Sequence, residues 1–418
     1  MKKVHRFASV LILLLLVASA AYAQSGFYLK DGDRVVFYGD SITDQRLYTT
    51  FVETYVVTRF PKMNVGFVHS GWGGDRVTGG GGGKIDERLR RDVIAYKPTV
   101  VTIMLGMNDA SYKAHDAAIF DTFTTGYQHI TRTLKSALPG ARLTLIQPSP
   151  YDDVTRAPTF DGGYNAVLVR YGGFIKELAQ KEGHHVADLN TSVVGALRKA
   201  NDTDASLAQR IVPDRVHPGP GGHLLMAEAL LRAWNAPAIV SSIEIDAATR
   251  KLVRADNSKV TGLSQDGSRW TQEDNALPLP LDMKDAALAL AVRSSDVVSN
   301  LNRQMLRVAG LSAPRYTLKI DNEEVGSFTK EQLGEGINLA TLQTPMTKQA
   351  AAVHALTLKH NTVHFASWRQ VHVPLQDILT PEAKNAMKAL DDLETELVRQ
   401  QRAAAQPKAR RYELISQM

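Results

Sequence analysis

The chain has no cysteine in its 418 residues. That absence excludes disulfide staples, a cysteine-borne lipid anchor, a thiolate nucleophile and zinc sites built on sulfur. Stability has to come from core burial, for which the length is ample. Long hydrophobic runs are also scarce. The one at residues 10–17 falls short of the roughly 20 residues that span hydrocarbon. It follows Lys2, Lys3 and Arg6 and precedes Ala21-Tyr22-Ala23, the layout of a secretory leader cleaved after Ala23. No later segment reaches membrane-spanning length. The expectation is an exported protein, periplasmic or secreted, with no stable membrane insertion after leader removal. A strong charge of one sign is missing too. The formal net charge is +6, and Lys2, Lys3 and Arg6 leave with the leader. So mild an excess gives no reason to expect nucleic acid as a partner. Arg402, Lys408, Arg410 and Arg411 concentrate part of it near the end, where a solvated, frayed tail is expected.

What is present is a regular alternation. Short β-branched and aromatic runs recur at residues 34–38, 65–68, 99–105, 142–146 and 185–189, each followed by a stretch long enough for a helix. That pattern predicts an α/β unit with a parallel sheet covered on both faces. Residues 120–138 space Phe120, Phe123, Tyr127, Ile130 and Leu134 by three and four, one apolar stripe stopped by Pro139-Gly140. Residues 164–182 repeat the device through Val167, Leu168, Tyr171, Ile175 and Leu178, and stop at Gly183. A helix at 222–234 and Pro237 close a unit of residues 24–236, after the leader at 1–23. Beyond it the texture changes. Residues 241–245 alternate, and Asp321-Asn322 between residues 316–320 and 325–328 reads as a hairpin turn. A β-rich accessory region with helical segments is expected over 237–379. The remainder, 380–418, is expected to be a helix opened by Thr380-Pro381-Glu382, striped by Met387, Leu390, Leu393 and Leu397, and then the basic tail. Trp270, Trp368, His354, His360 and His364 read more readily as buried packing than as a site.

Polar segments fall at the carboxyl ends of those strands, the edge where open α/β sheets bind ligands. Gly39-Asp40-Ser41-Ile42-Thr43 follows the first strand. Ser41 there either starts a helix whose N–H groups face an anion or, with Asp40, merely caps it. His69-Ser70-Gly71-Trp72-Gly73-Gly74-Asp75 follows the second, its glycines exposing backbone N–H groups such as that of Gly74. The glycines at 79–83 before Lys84 do not make a phosphate loop, because Thr78 and Ile85 occupy positions that need Gly and Ser or Thr. A flexible loop near the cleft is expected there. Gly106-Met107-Asn108-Asp109 follows the third strand. Its Asn amide can donate to charge developing on a carbonyl oxygen, or close an Asx turn. Late in the unit, Asp214 stands three residues before His217. That spacing lets a carboxylate hold the imidazole Nδ1–H and leave Nε2 for a serine hydroxyl, or makes a local salt link. No other His or carboxylate clusters beside it at ligand spacing, so no metal is expected.

Taken in order, with Ser after strand one, a glycine loop after strand two, Asn after strand three, and Asp and His before the last helix, these blocks resemble the SGNH hydrolase family, also called GDSL-like lipases and acylhydrolases. The resemblance covers the first unit only. It implies a three-layer α/β/α, flavodoxin-like domain, with an α+β accessory region appended. It also implies an ester hydrolase in which Ser41 is the nucleophile, His217 the base and Asp214 its orienting partner. The N–H groups of Ser41 and Gly74 and the Asn108 amide would form the oxyanion hole, and Asp40, Asp75 and Asp109 in the same blocks are candidates for substrate binding. No metal or organic cofactor is called for. Ile42 stands where the family name has Leu, and His69 where many members carry Asn. Thr43 in the last position excludes the Gly-x-Ser-x-Gly elbow of α/β-hydrolases. The expected substrate is a small-molecule or polysaccharide ester, a carbohydrate O-acetyl ester foremost, because exported members often deacetylate polysaccharides. A lipase or thioesterase, acyl transfer to a sugar, and an inactive glycan-binding protein are the alternatives. The oligomeric state is not legible.

Overall fold

The structure, a computed structural model, describes residues 26–417; the leader expected at 1–23 lies outside them. Five parallel strands make the first sheet, side by side in the order Gly66–Gly71, Arg34–Gly39, Val100–Met104, Arg142–Ile146 and His185–Ala187. In chain order that is 2-1-3-4-5. The direction of progress across the sheet reverses between the first and third strands, which opens a crevice at their carboxyl ends. Val35 to Tyr38 and Val100 to Met104 are buried, as strands covered on both faces must be.

The covering helices follow from their patterns. Asp116 caps Ala117–Ala137 by accepting from the N–H groups of Ala118 and Ile119, and Phe123, Tyr127, Ile130 and Leu134 form its buried stripe. Gly163–Glu182 buries Val167, Leu168, Tyr171, Ile175 and Leu178 and ends at Gly183. Pro220–Ala233 opens with proline in its first turn. Two details differ from expectation. The second strand continues to Gly71, so His69 and Ser70 lie inside the sheet rather than after it. The glycine segment is no flexible loop: Gly79–Gly80 and Gly83–Lys84 pair as an antiparallel ribbon. A side chain at Gly82 would run into Trp72 at 2.5 Å, and packing that close removes the freedom that the composition suggested.

Past Pro237 two sheets face each other. One orders Ser258–Thr261, Arg269–Asp274, Arg410–Gln417, Arg315–Ile320 and Glu323–Thr329; the other orders Ile337–Asn338, Arg303–Ala309, Ile239–Asp246 and Lys251–Asp256. Ile243, Leu306 and Val308 from one side and Trp270, Leu318 and Tyr412 from the other share a core. The hairpin is present, and Asp321 and Asn322 at its turn take φ of 51° and 67°, the sign that two-residue hairpin turns require. The frayed basic tail is not. Arg410–Gln417 is the middle strand of its sheet, Arg410 pairs with Asp321 at 2.7 Å, and Tyr412 and Leu414 are buried. Ladder bonds to distant strands override a local composition that favours fraying. The preceding helix, Pro381–Ala404, starts where expected, but Leu393 is 47% exposed.

The two regions interlock. Leu279, Leu288, Leu290, Val297 and Leu301 join the first core. In the helix Leu47–Arg59 every residue from Tyr48 onward is buried, because the helix Pro345–Phe365 covers its outer side. There Thr54 Oγ1 lies 2.9 Å from His354 Nδ1, Asn361 donates to Thr50 Oγ1 at 3.0 Å, and His360 Nε2 lies 2.5 Å from Glu53. Trp270 stacks on Tyr412 in the second core, and His364 and Trp368 are buried as well. Among the described residues, no helix is long and apolar enough to cross a membrane.

Candidate active site

The first strand ends in a close approach. A Cβ on Gly39 would lie 2.2 Å from Thr43 Oγ1 and 2.7 Å from the Met104 carbonyl, so glycine is what lets the chain turn directly from strand to helix. The turn starts the short helix Ser41–Asp44, capped by Asp40, whose Oδ1 accepts from the Ile42 N–H at 3.1 Å. Ser41 is thereby held at the sheet edge, half-buried.

Residues 213–218 bring the other groups to it. Asp214 Oδ1 accepts from the N–H groups of Val216 at 2.9 Å and His217 at 2.7 Å, and its Oδ2 lies 2.7 Å from His217 Nδ1. Partial burial would raise the Asp214 carboxyl, but the hydrogen bonds from His217 and Val216 outweigh it and hold the group below its ordinary range. An ionised carboxylate only accepts, so Nδ1 is the donor, and in the neutral ring Nε2 is the nitrogen that keeps its lone pair. That nitrogen lies 2.9 Å from Ser41 Oγ. Arg215, between the two, takes a φ of 73°. Residues 152–157 fix it there: its Nη1 donates to the Ala157 carbonyl at 2.9 Å, and its own carbonyl accepts from the Asp152 N–H at 2.8 Å.

The crevice brings Asn108 and Gly74 to the same edge. Tyr112 donates its hydroxyl to Asn108 Oδ1 at 2.9 Å, and Asn108 Nδ2 donates to the Asp75 carbonyl at 3.1 Å. These two bonds set the plane of the amide and use one of its two N–H groups, which leaves the second for a ligand. Gly74 holds a φ of 77°, in the left-handed region that glycine enters freely, one residue before the carbonyl that Asn108 engages. Tyr112, 43% exposed, stacks on Tyr164 with ring centroids 5.0 Å apart and stands next to Tyr151.

The three carboxylates expected to bind substrate do other work. Asp40 caps its helix and is 1% exposed; Asp109 accepts from the Val77 N–H at 2.9 Å and is 7% exposed; Asp75 is fully buried and bonded to Arg88 Nε at 2.7 Å. Burial pushes Asp40 and Asp109 up to about 7. Their position straight after strands suggested exposure at the edge, but their oxygens turn inward to satisfy loop N–H groups and a buried guanidinium. Tyr112, Arg215 and Arg88 escaped sequence reasoning. Tyr112 four residues after Asn108 was the available signal for the first of them.

Residues 37–225 match the profile of the GDSL-like Lipase/Acylhydrolase family. An acetylxylan esterase of Geobacillus stearothermophilus is 25% identical over 224 residues, which cover 49% of this chain and 94% of that protein. Over nearly the whole molecule the chain is similar to the structure of a gut microbial diltiazem-metabolizing enzyme, with a TM-score of 0.83, 25% identity, and coverage of 93% of this chain and 98% of that one. By these matches residues 37–225 belong to the GDSL-like lipase/acylhydrolase family, and the chain is a hydrolase of ester bonds.

Proposed function

We propose that the protein is an exported serine esterase that removes short acyl groups, carbohydrate O-acetyl groups foremost, by way of Ser41, His217 and Asp214. The observation that carries this reading is the unbroken chain from Ser41 Oγ to His217 Nε2 at 2.9 Å and from Nδ1 to Asp214 at 2.7 Å. In the first step Ser41 Oγ bonds to the ester carbonyl carbon while its proton passes to Nε2. The oxyanion is held by the N–H groups of Ser41 and Gly74 and the free N–H of Asn108. Collapse expels the alcohol, which takes the proton from Nε2. Water then repeats the sequence on the acyl-enzyme, losing its proton to Nε2 and returning it to Ser41 as the acid leaves.

An O-acetyl substrate on a sugar is supported by the acetylxylan esterase relative and by the half-exposed Tyr112 ring beside Asn108, an apolar face of the kind on which sugar rings stack. The likeness to the diltiazem-metabolizing enzyme extends through the accessory region and favours a second reading, a small-molecule ester. Steady-state hydrolysis of a chromogenic acetate tests the chemistry: Ser41→Ala is expected to lose activity by at least about 10³-fold, and equal rates would remove the proposal. Acetylated xylooligosaccharides set against small aryl acetates decide between the two substrate classes by kcat/KM.

A further inference from the structure

The segment Ala366–His372 of the accessory region is wound as a π-helix, entered from Pro345–Phe365 and left through Val373–Leu375. Such turns are rare and tend to be kept where a side chain must be placed. This one carries Trp368 into the catalytic domain. Its Nε1 donates to Asp92 Oδ1 at 2.6 Å, and its ring meets Trp72 edge to face at 5.9 Å. Asp92 is ion-paired with Arg88, and Arg88 in turn donates through Nε to Asp75 Oδ2 at 2.7 Å and through Nη2 to the Ser70 carbonyl at 2.9 Å. Arg88, Asp75 and Asp92 are all fully buried. The Asp75 carbonyl is the group that accepts from Asn108 Nδ2 at 3.1 Å, and the residue before Asp75 is Gly74. Arg369 lies over the Trp72 ring from the same π-helix.

We propose that Trp368 is a positioning residue for the oxyanion hole: through Asp92 and Arg88 it fixes Asp75, whose carbonyl sets the aim of the Asn108 amide. The accessory region is then part of the catalytic apparatus rather than a separate module. The inference rests on the reading of Gly74 and Asn108 as oxyanion donors. Its physical basis is that a buried guanidinium between two carboxylates can point in one direction only while each of its partners is held. Asp92 Oδ1 accepts from Trp368 Nε1 and from Arg91 Nε at 2.7 Å, and its Oδ2 is shared by Arg88 Nη1 and Arg91 Nη2. Without the indole donor Arg91 alone holds Oδ1, the carboxylate is drawn toward that guanidinium and off Arg88, and the carbonyl that aims Asn108 shifts with them. Donors displaced by a fraction of an ångström stabilise the transition state less while leaving ground-state binding intact.

The test uses the full chain and a chromogenic acetate, with turnover expressed per active site counted from the acylation burst, so that any unfolded fraction drops out. Trp368→Phe keeps a ring against Trp72 and removes only the donor. The expected result is a kcat lower by about five- to twentyfold, with KM within about twofold. Asp92→Asn, one link further in, is expected to give the same signature. The deciding measurement is the double variant with Asn108→Ala, in whose background Trp368→Phe is expected to cost nothing more, because the group it aims is gone. A full, additive loss in that background, or wild-type turnover in both single variants, overturns the inference and leaves the esterase reading standing. Wild-type turnover in Asn108→Ala itself removes the oxyanion reading, and this inference with it.

Discussion

Tyr112 donates to Asn108 Oδ1 at 2.9 Å from a backbone at φ 56°, so its hydroxyl holds one end of the amide while the Asp75 carbonyl holds the other. Removing that hydroxyl deletes one neutral hydrogen bond, worth about 1 kcal/mol. Tyr112→Phe is therefore expected to lower kcat about fivefold with little change in KM. If kcat is unchanged, the Asp75 carbonyl orients the amide unaided. The contrast with Ser41, Asp214 and His217 shows what a sequence discloses. That those three side chains meet was legible because each stands in a short block whose backbone context, a strand end or the start of a helix, can be read locally. Asp40, Asp75 and Asp109 share those blocks and were misjudged. Whether a carboxylate faces solvent or a buried arginine depends on Arg88, which lies 13 residues from Asp75 and presents no pattern of its own.

At the scale of elements, the contact between Leu47–Arg59 and Pro345–Phe365 is polar at its centre. Glu53 lies between His360 and His69, Gln401 donates to it at 3.0 Å, and Glu394 faces the far side of His360. Burial lowers the His360 imidazole, but Glu53 and Glu394 outweigh it and lift the group to about 10. A histidine raised on folding stabilises the folded state fully below its ordinary value of 6.5, and that contribution disappears as pH rises through about 10. Unfolding free energy from urea titrations is thus expected to fall by a few kcal/mol between pH 7 and 10. His360→Gln is expected to start lower and change little over that range. A parallel decline in the variant would place the titrating group elsewhere. Strands and amphipathic helices of the first unit were readable from periodicity. This contact was not: His354, His360 and His364 read as buried packing, but nothing local to them shows that the partner of His360 is Glu53, 307 residues away. The closing strand Arg410–Gln417 was hidden for a related reason: its partners, Arg269–Asp274 and Arg315–Ile320, stand far away along the chain.

For the whole molecule, the composition of Leu47–Arg59 carries the strongest implication. A helix buried on every side belongs between two layers, yet in an isolated α/β domain a covering helix has one face in water. Here the second layer is the accessory region. Phe51 stacks on His354, Val57 packs with Val353 and Ala405, and the Leu277 N–H donates to the Thr58 carbonyl at 3.0 Å. Leu279, Leu288 and Leu301 complete the first core from beyond Pro237. Cutting the chain at residue 236 would uncover that helix face and remove those leucines, and each large apolar side chain lost from a core costs about 2–5 kcal/mol. The three leucines alone come to about 6–15 kcal/mol, as much as the 5–15 kcal/mol by which domains are usually stable. Residues 26–236 expressed alone are therefore expected to aggregate or to lack a cooperative thermal transition, whereas the full chain should unfold with both regions in one step by calorimetry. A truncated form that melts cooperatively and hydrolyses acetate esters at the rate of the full chain would show that the two regions are joined only by tether, and the dependence of the oxyanion loop on Trp368 would fall with that result.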